Sequence, residues 1–181
     1  MTRRIRPLLV AMVALAAVLL SRPALAGPPL LCFPFDIGSA RSLPMGKGHW
    51  HATDPKYDVS RLVPDTLALL APDAPVMVRM ETIRRATIYA SAHPKLANAL
   101  LNELQARAAA PEPAVAALAV FDFGYLVESY KEAKYMFKEP VPALDRIDGY
   151  QLVLKAHALQ NDAAMQHAAK LIVDGQPRGT K

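Results

Sequence analysis

His49 and His51, separated only by Trp50, are the clearest candidates for metal chemistry in the sequence. In an extended backbone, side chains at positions i and i+2 share a face, so the two imidazoles could converge on zinc or copper. Asp54 and Asp58 follow closely enough to add carboxylate oxygens. Two histidines in a glycine-containing loop are also typical of solvated side chains around a docked tryptophan. Metal binding through His49 and His51 is therefore the alternative hypothesis and not the leading one.

Asp122 is an acidic residue inside the most apolar segment of the chain, between Phe121 and Phe123. Burying a carboxylate without a partner costs several kcal/mol, so the sequence predicts a cation beside it. An ion pair between helices is the main interpretation, and a functional acid in a groove is the second. The candidate partners are Arg79, Arg84 and Arg85.

Hydrolase chemistry through Asp122 and Glu128 is the third hypothesis. The two residues are six positions apart. This spacing corresponds to about 600° of helical rotation and puts the two carboxylates on different sides of a helix. The sequence also contains no GxSxG, HExxH or CxxC motif and no glycine-rich phosphate loop. We therefore predict neither enzymatic activity nor a cofactor.

The first 26 residues have the features of a secretory signal peptide. A cationic segment, Met1 to Pro7, precedes the apolar run Leu8 to Leu20, and Ala24-Leu25-Ala26 supplies small residues for cleavage before Gly27. A helix with the 13 residues of that run spans only about 20 Å, less than the roughly 30 Å of a bilayer core. We therefore predict Sec export to the periplasm or the extracellular space, without stable membrane insertion after cleavage.

The net charge of +5 depends almost entirely on this leader. The leader holds four of the 21 Lys and Arg residues and no acidic residue, which leaves 17 basic against 16 acidic residues in the remainder. Nucleic-acid binding requires a marked basic excess, so this class of function is excluded.

Cys32 is the only cysteine of the chain and would have no intramolecular partner in an oxidising compartment. Its apolar neighbours indicate a buried thiol, and an intermolecular disulfide is the alternative. A homodimer, linked through Cys32 or non-covalent, is therefore among the expected partners.

Residues 27–64 are rich in proline and glycine, which predicts an extended arm rather than long helices. Its apolar residues would dock on a helical domain formed by residues 65–174, and residues 175–181 would be a flexible tail. From residue 65 onward the apolar residues recur with the helical period, so the expected fold is all-α.

Local signals predict where the helices begin and end. Asp65 and Asp73 are expected to cap the first two helices, and Pro94 suits the first turn of the third. Residues 113–137 form the hydrophobic centre, and residues 160–162 form a turn before the last helix.

Two segments share a helix–turn–helix layout, with turns at His93 and Asn161. These turns are 68 residues apart, which is twice the tetratricopeptide period of 34. The tetratricopeptide signature fits poorly, because Val127 stands where tyrosine is expected after Phe123-Gly124. Stacked tetratricopeptide-like hairpins and an irregular helical bundle both stay open.

Four segments resemble a group of uncharacterised exported bacterial α-helical proteins, which are distantly similar to tetratricopeptide-like α-solenoids. These segments are LLCFPFDIG at 30–38, ARSLP at 40–44, RMETIRRA at 79–86 and GYLVE at 124–128. The resemblance implies export and a helical fold, and it implies no catalytic residue.

The leading hypothesis is an exported helical scaffold or protein-interaction domain. It would bind a peptide or protein partner in a groove between helical hairpins. The residues expected at this groove are Arg79, Arg84, Arg85, Asp122, Tyr125 and Glu128.

Overall fold

The computed structural model of the chain describes residues 29–109, 115–142 and 144–175. Within these ranges the chain forms α-helices, short 3₁₀ helices and turns, and no strand, which confirms the predicted all-α class. The predicted signal peptide with its cleavage site between Ala26 and Gly27 lies outside the described residues. So does the predicted tail, residues 175–181, except for Gly175, which is helical.

The described residues contain six α-helices. They are α1 (Leu62–Leu69), α2 (Val76–Ser91), α3 (Pro94–Ala109), α4 (Ala116–Glu132), α5 (Gly149–Gln160) and α6 (Ala163–Gly175). Three 3₁₀ helices lie outside them, at Val59–Arg61, Ala133–Tyr135 and Leu144–Arg146. None of the described helices is both long enough and apolar enough to cross a bilayer.

The first helix begins before the predicted cap Asp65. A 3₁₀ turn at Val59–Arg61 leads directly into α1 at Leu62, and Asp58 caps that turn by accepting from the Ser60 amide at 3.1 Å. Pro64 is therefore a first-turn residue of α1, where a missing N–H group removes no intrahelical bond. The capping prediction for Asp65 was wrong because the helix starts on the other side of this proline.

The ends of the next helices agree with the sequence signals in two of three cases. The N-cap of α2 is Pro75 and makes no side-chain bond, so the cap predicted at Asp73 was wrong. Pro94 begins α3, as expected. Asn161 ends α5 with a left-handed φ of 54°, and Asp162 accepts the amides of the next helix, which confirms the predicted turn.

Helix α4 is the centre of the fold. It packs against α2, α3, α5 and α6, and all residues from 120 to 130 are buried. A helix that is apolar on nearly every side is shielded from water only when other elements pack against several of its sides. The other helices are therefore arranged around it.

The contact between α4 and α5 depends on two glycines. A Cβ atom at Gly124 would lie 2.7 Å from the carbonyl oxygen of Gly149, and a Cβ at Gly149 would lie 2.5 Å from the carbonyl oxygen of Gly124. Only glycine lets the two backbones come this close.

Residues 29–58 contain no helix and no strand and lie against the helices. Leu30 and Leu31 are 0% exposed, and Leu43 is 1% exposed. These leucines belong to the interior, although the backbone around them is irregular.

Candidate functional site

The six residues expected at one partner-binding groove lie in different parts of the molecule. Arg79 and Asp122 line a cavity between α1, α3 and α4, and Glu128 lines a different one beside α5. The other three residues, Arg84, Arg85 and Tyr125, line neither of these cavities. The two arginines donate hydrogen bonds to residues 31–50, and Tyr125 is buried.

Asp122 is paired with Arg79, one of its three predicted partners. Nη1 of Arg79 donates to Oδ2 of Asp122 at 2.6 Å, and the two side chains are 2% and 4% exposed. The same guanidinium donates through Nε to the Ala74 carbonyl at 3.0 Å and through Nη2 to the Ala71 carbonyl. Arg79 therefore fixes the α1–α2 loop to α4, and all three of its nitrogens are engaged.

The second carboxylate oxygen of Asp122 lacks a partner. Oδ1 is buried and accepts no hydrogen bond from any described residue. Burial raises the pKa of Asp122 to about 7, although Arg79 and Arg107 both act to lower it. The side chain thus keeps one unused acceptor in a desolvated position.

This unpaired carboxylate borders a cavity of about 460 Å³, which we call the α1–α4 cleft. Most of its walls are apolar, and its charged residues are Arg79, Arg107 and Asp122. Arg107, near the end of α3, is exposed, and the first turn of α4 forms part of the wall. The complete lining is Leu67, Ala68, Leu70, Ala71, Pro72, Arg79, Arg107, Val115, Leu118, Ala119 and Asp122.

Arg84 and Arg85 share the carboxylate of Glu81, which is 0% exposed. Oε2 of Glu81 accepts from Nε of Arg84 at 2.8 Å, and Oε1 accepts from Nε of Arg85 at 2.6 Å. Oε2 also accepts from the Phe35 amide at 3.0 Å. Burial alone would raise the pKa of Glu81, but these donors hold it below its usual value.

Nη2 of Arg84 also donates to Oε1 of Glu81 at 3.0 Å, and the Nη1 atoms of the two arginines hold the irregular segment. Nη1 of Arg84 donates to the carbonyl of Leu31 at 2.9 Å and to that of Trp50 at 3.2 Å. Nη1 of Arg85 donates to the carbonyl of Leu43 at 2.6 Å. Both guanidinium groups therefore satisfy backbone carbonyls of this chain; Arg84 is buried, and the Arg85 side chain is 22% exposed.

Tyr125 and Glu128 lie further along α4. Tyr125 is 0% exposed and stacks on Phe121 with ring centroids 5.5 Å apart, and its hydroxyl has no hydrogen-bond partner among the described residues. Glu128 accepts from Nζ of Lys131 at 2.8 Å, and the same Nζ donates to the Ile147 carbonyl at 2.6 Å. This contact joins the end of α4 to the loop before α5.

Among the described residues, Glu132 is, besides Asp122, the acid whose pKa is raised. It accepts from the Leu30 amide at 3.0 Å, and burial raises its pKa to about 7, with a further contribution from Glu128. It has no ion-pair partner within the described part of the chain. It anchors the start of the irregular segment by a hydrogen bond alone.

The imidazoles of His49 and His51 do lie near each other. Their rings stack with centroids 5.8 Å apart and an interplanar angle of 16°, and both residues are exposed. Among the residues with described positions, no group of three or more His, Cys, Asp or Glu side chains is placed to hold a metal ion. Cys32 is half-buried, and burial raises the pKa of its thiol.

Sequence reasoning did not select Glu81 or Arg107 as site residues. The signal for Glu81 was present, because it lies in an apolar helix with Arg79, Arg84 and Arg85 within four positions. A carboxylate in such a setting has to accept from several of them. No comparable local signal marks Arg107, whose importance depends on the position of α4.

No protein-family model matches the chain, and no curated protein or solved structure is significantly similar to it. The α1–α4 cleft is therefore interpreted from its own geometry.

Proposed function

We propose that this chain is an exported helical protein-interaction domain that binds a peptide or protein partner in the α1–α4 cleft. The observation that carries the proposal is the combination of apolar walls with one buried, unpaired carboxylate oxygen, that of Asp122. Concave sites with mostly apolar walls and a few convergent polar groups are the usual form of ligand-binding sites.

The lining of the cleft favours binding over catalysis. Among its residues there is no Ser, Cys, His or Lys, and Asp122 is the only acid. General acid–base or nucleophilic catalysis needs at least two such groups within reach of a substrate. We accordingly propose no enzymatic activity for the cleft.

The tetratricopeptide-like resemblance is part of the same proposal. The hairpins α2–α3 and α5–α6 each join two helices by a short turn, and α4 lies between them in the chain. Stacked helical hairpins commonly bind extended peptides in the grooves that they form.

Export is proposed on the residues of the leader. Protein isolated from a periplasmic fraction is expected to begin at Gly27 on N-terminal sequencing. Material that begins at Met1, or that fractionates only with the cytosol, would contradict export.

Partner binding is tested by cross-linking from inside the cleft. Ala68 is exposed on α1 and lines the cleft, whereas Ala158 is exposed on α5 and lines none of the cavities described above. A benzoylphenylalanine cross-linker at position 68 is expected to capture from envelope extract a polypeptide that the same cross-linker at position 158 does not capture.

The captured polypeptide is then identified by mass spectrometry, purified and titrated against four forms of the protein. Ala68 also lines a second cavity, beside residues 41–44, whereas Ala119 lines the cleft and not that cavity. We expect Ala68→Trp and Ala119→Trp both to abolish binding, and the matched variant Ala158→Trp to bind like the unmodified protein. Equal affinity for Ala68→Trp and the unmodified protein would exclude the cleft as the binding site.

A further inference from the structure

We infer that the occupant of the α1–α4 cleft is the carboxyl-terminal end of a polypeptide whose last residue is apolar. This inference rests on the proposed function and specifies which part of a partner enters the cleft. It follows from which polar groups of the cleft are still available and from the sign of its charge.

Arg79 is not placed to recognise a ligand. Its side chain is 2% exposed, and three of its N–H donors already bond Asp122 and the carbonyls of Ala71 and Ala74. Its charge, however, still offsets that of Asp122. The polar group left for an incoming molecule is the exposed Arg107 guanidinium, since Oδ1 of Asp122 is fully buried.

The cleft is positive overall and therefore selects an anion. It contains two guanidinium groups and one carboxyl group, so its charge is positive whether Asp122 is ionised or neutral. Arg107 is exposed and forms no ion pair with any described residue. An incoming carboxylate can thus bind it in a charge-assisted manner.

The start of α4 adds to this preference. Its N-cap Val115 lines the cleft and makes no side-chain bond, and the first turn contains no acidic residue. The first amides of a helix lack intrahelical acceptors and carry the positive end of the helix dipole. A carboxylate near Val115 and Arg107 would therefore meet both a guanidinium and this helix terminus.

A terminal residue presents two chemical groups that the cleft can accept. Its carboxylate would pair with Arg107, and its apolar side chain would lie against Leu67 and Leu118. The cleft volume of about 460 Å³ lies in the lower part of the roughly 300–1,000 Å³ range of small-ligand sites. It suits one end of a chain better than a long internal segment.

The experiment uses fluorescein-labelled hexapeptides with Leu at the last position and mixed residues before it. One pool has a free carboxyl terminus and the other a carboxyl-terminal amide, and fluorescence anisotropy reports binding to the purified protein. We expect the acid pool to bind at least about tenfold more tightly than the amide pool, as for the loss of a charge-assisted hydrogen bond.

Two pairs of variants locate the effect. Arg107→Gln is expected to reduce binding of the acid pool to the level of the amide pool, whereas Arg146→Gln, an exposed arginine beside another cavity, should change nothing. Ala68→Trp should abolish binding of both pools, and Ala158→Trp should not.

Each other result overturns the inference in a distinguishable way. If acid and amide bind equally and only Ala68→Trp abolishes binding, the cleft binds peptides but does not recognise a carboxyl terminus. If neither pool binds, and the cross-linker at position 68 captures no polypeptide, the results contradict the proposed function as well. If N-acetylleucine displaces the acid pool with equal affinity, the ligand is a small carboxylic acid and not a polypeptide end.

Discussion

Nε of Arg84 lies 2.8 Å from Oε2 of Glu81, one helical turn away on α2, with both side chains shielded from solvent. The same carboxylate accepts from Arg85 and from the amide of Phe35. The Nη1 atoms of the two arginines bond the carbonyls of Leu31, Leu43 and Trp50. A single buried acid thus organises the attachment of an irregular segment that has no regular hydrogen bonding of its own.

Replacing Glu81 with Gln is expected to lower the free energy of unfolding by about 3–5 kcal/mol. The change removes the negative charge but leaves two guanidinium groups, one of them fully buried, without a counter-ion. Urea denaturation followed by circular dichroism measures the effect, with Glu103→Gln on the exposed face of α3 as control. A loss below about 1 kcal/mol, the range of exposed ion pairs, would show that the Glu81 charge is not needed.

Removing one partner of the Arg79–Asp122 ion pair should lower the free energy of unfolding strongly, whereas replacing both partners with apolar residues should lower it much less. Arg79→Met alone leaves a buried carboxylate and is expected to destabilise the protein by about 3–5 kcal/mol. The double variant Arg79→Met, Asp122→Leu removes both charges and should recover most of that loss. A double variant less stable than Arg79→Met would mean that Arg79 acts mainly through its bonds to Ala71 and Ala74.

Gly124→Ala is expected to destabilise the protein by about 1–3 kcal/mol through overpacking. The new methyl group would lie 2.7 Å from the carbonyl oxygen of Gly149 and 2.7 Å from Cβ of Leu152. Gly149→Ala should cost a similar amount, since it separates the same two backbones. In thermal unfolding, the double variant should lose less than the sum of the two single variants, because one displacement of α5 relieves both clashes. If the double variant loses the full sum of the two single losses in stability, Gly124 and Gly149 do not act through a shared contact.

Stability should fall as pH rises from about 5 to 7 because of Glu132, and Asp122, whose pKa is also raised to about 7, contributes in the same direction. Burial raises its folded-state pKa from 4.5 to about 7. The folded state therefore binds the proton more tightly than the unfolded state, and the stabilising contribution is present below pH 4.5 and lost as pH rises to about 7.

Glu132→Gln mimics the protonated form and still accepts from the Leu30 amide. We expect it to reduce the dependence of the urea midpoint on pH between about 5 and 7, with the contribution of Asp122 retained, and to stabilise the protein at pH 8. The exposed Glu139 provides the matched variant, Glu139→Gln, which should keep the wild-type profile. An unchanged slope in Glu132→Gln would assign the pH dependence to another group.

The sequence by itself determined the class of the fold and several of its boundaries. Apolar residues at the helical period, the proline at the start of α3 and the turn at residues 160–162 are local features, and a few neighbouring residues suffice to specify them. The same reasoning placed Asp122 in the interior and required an arginine beside it, because an unpaired buried carboxylate is too costly. It misplaced two caps: the one at Asp65 because Pro64 was read as a boundary although it fits within a first turn, and the one at Asp73 because α2 begins only after Pro75.

Only the tertiary structure decided which arginine pairs with which acidic residue. Arg79 and Arg84 are separated by five positions on α2, or about 500° of rotation, so they face different sides of the helix. Because α2 is buried nearly all round, its pattern of apolar residues does not reveal which side meets α4. The packing of distant segments assigns Arg79 to Asp122 and Arg84 to residues 31–50. It also places Arg107 beside the start of α4 to form the cleft, a position that depends on helix–helix packing and has no local signature.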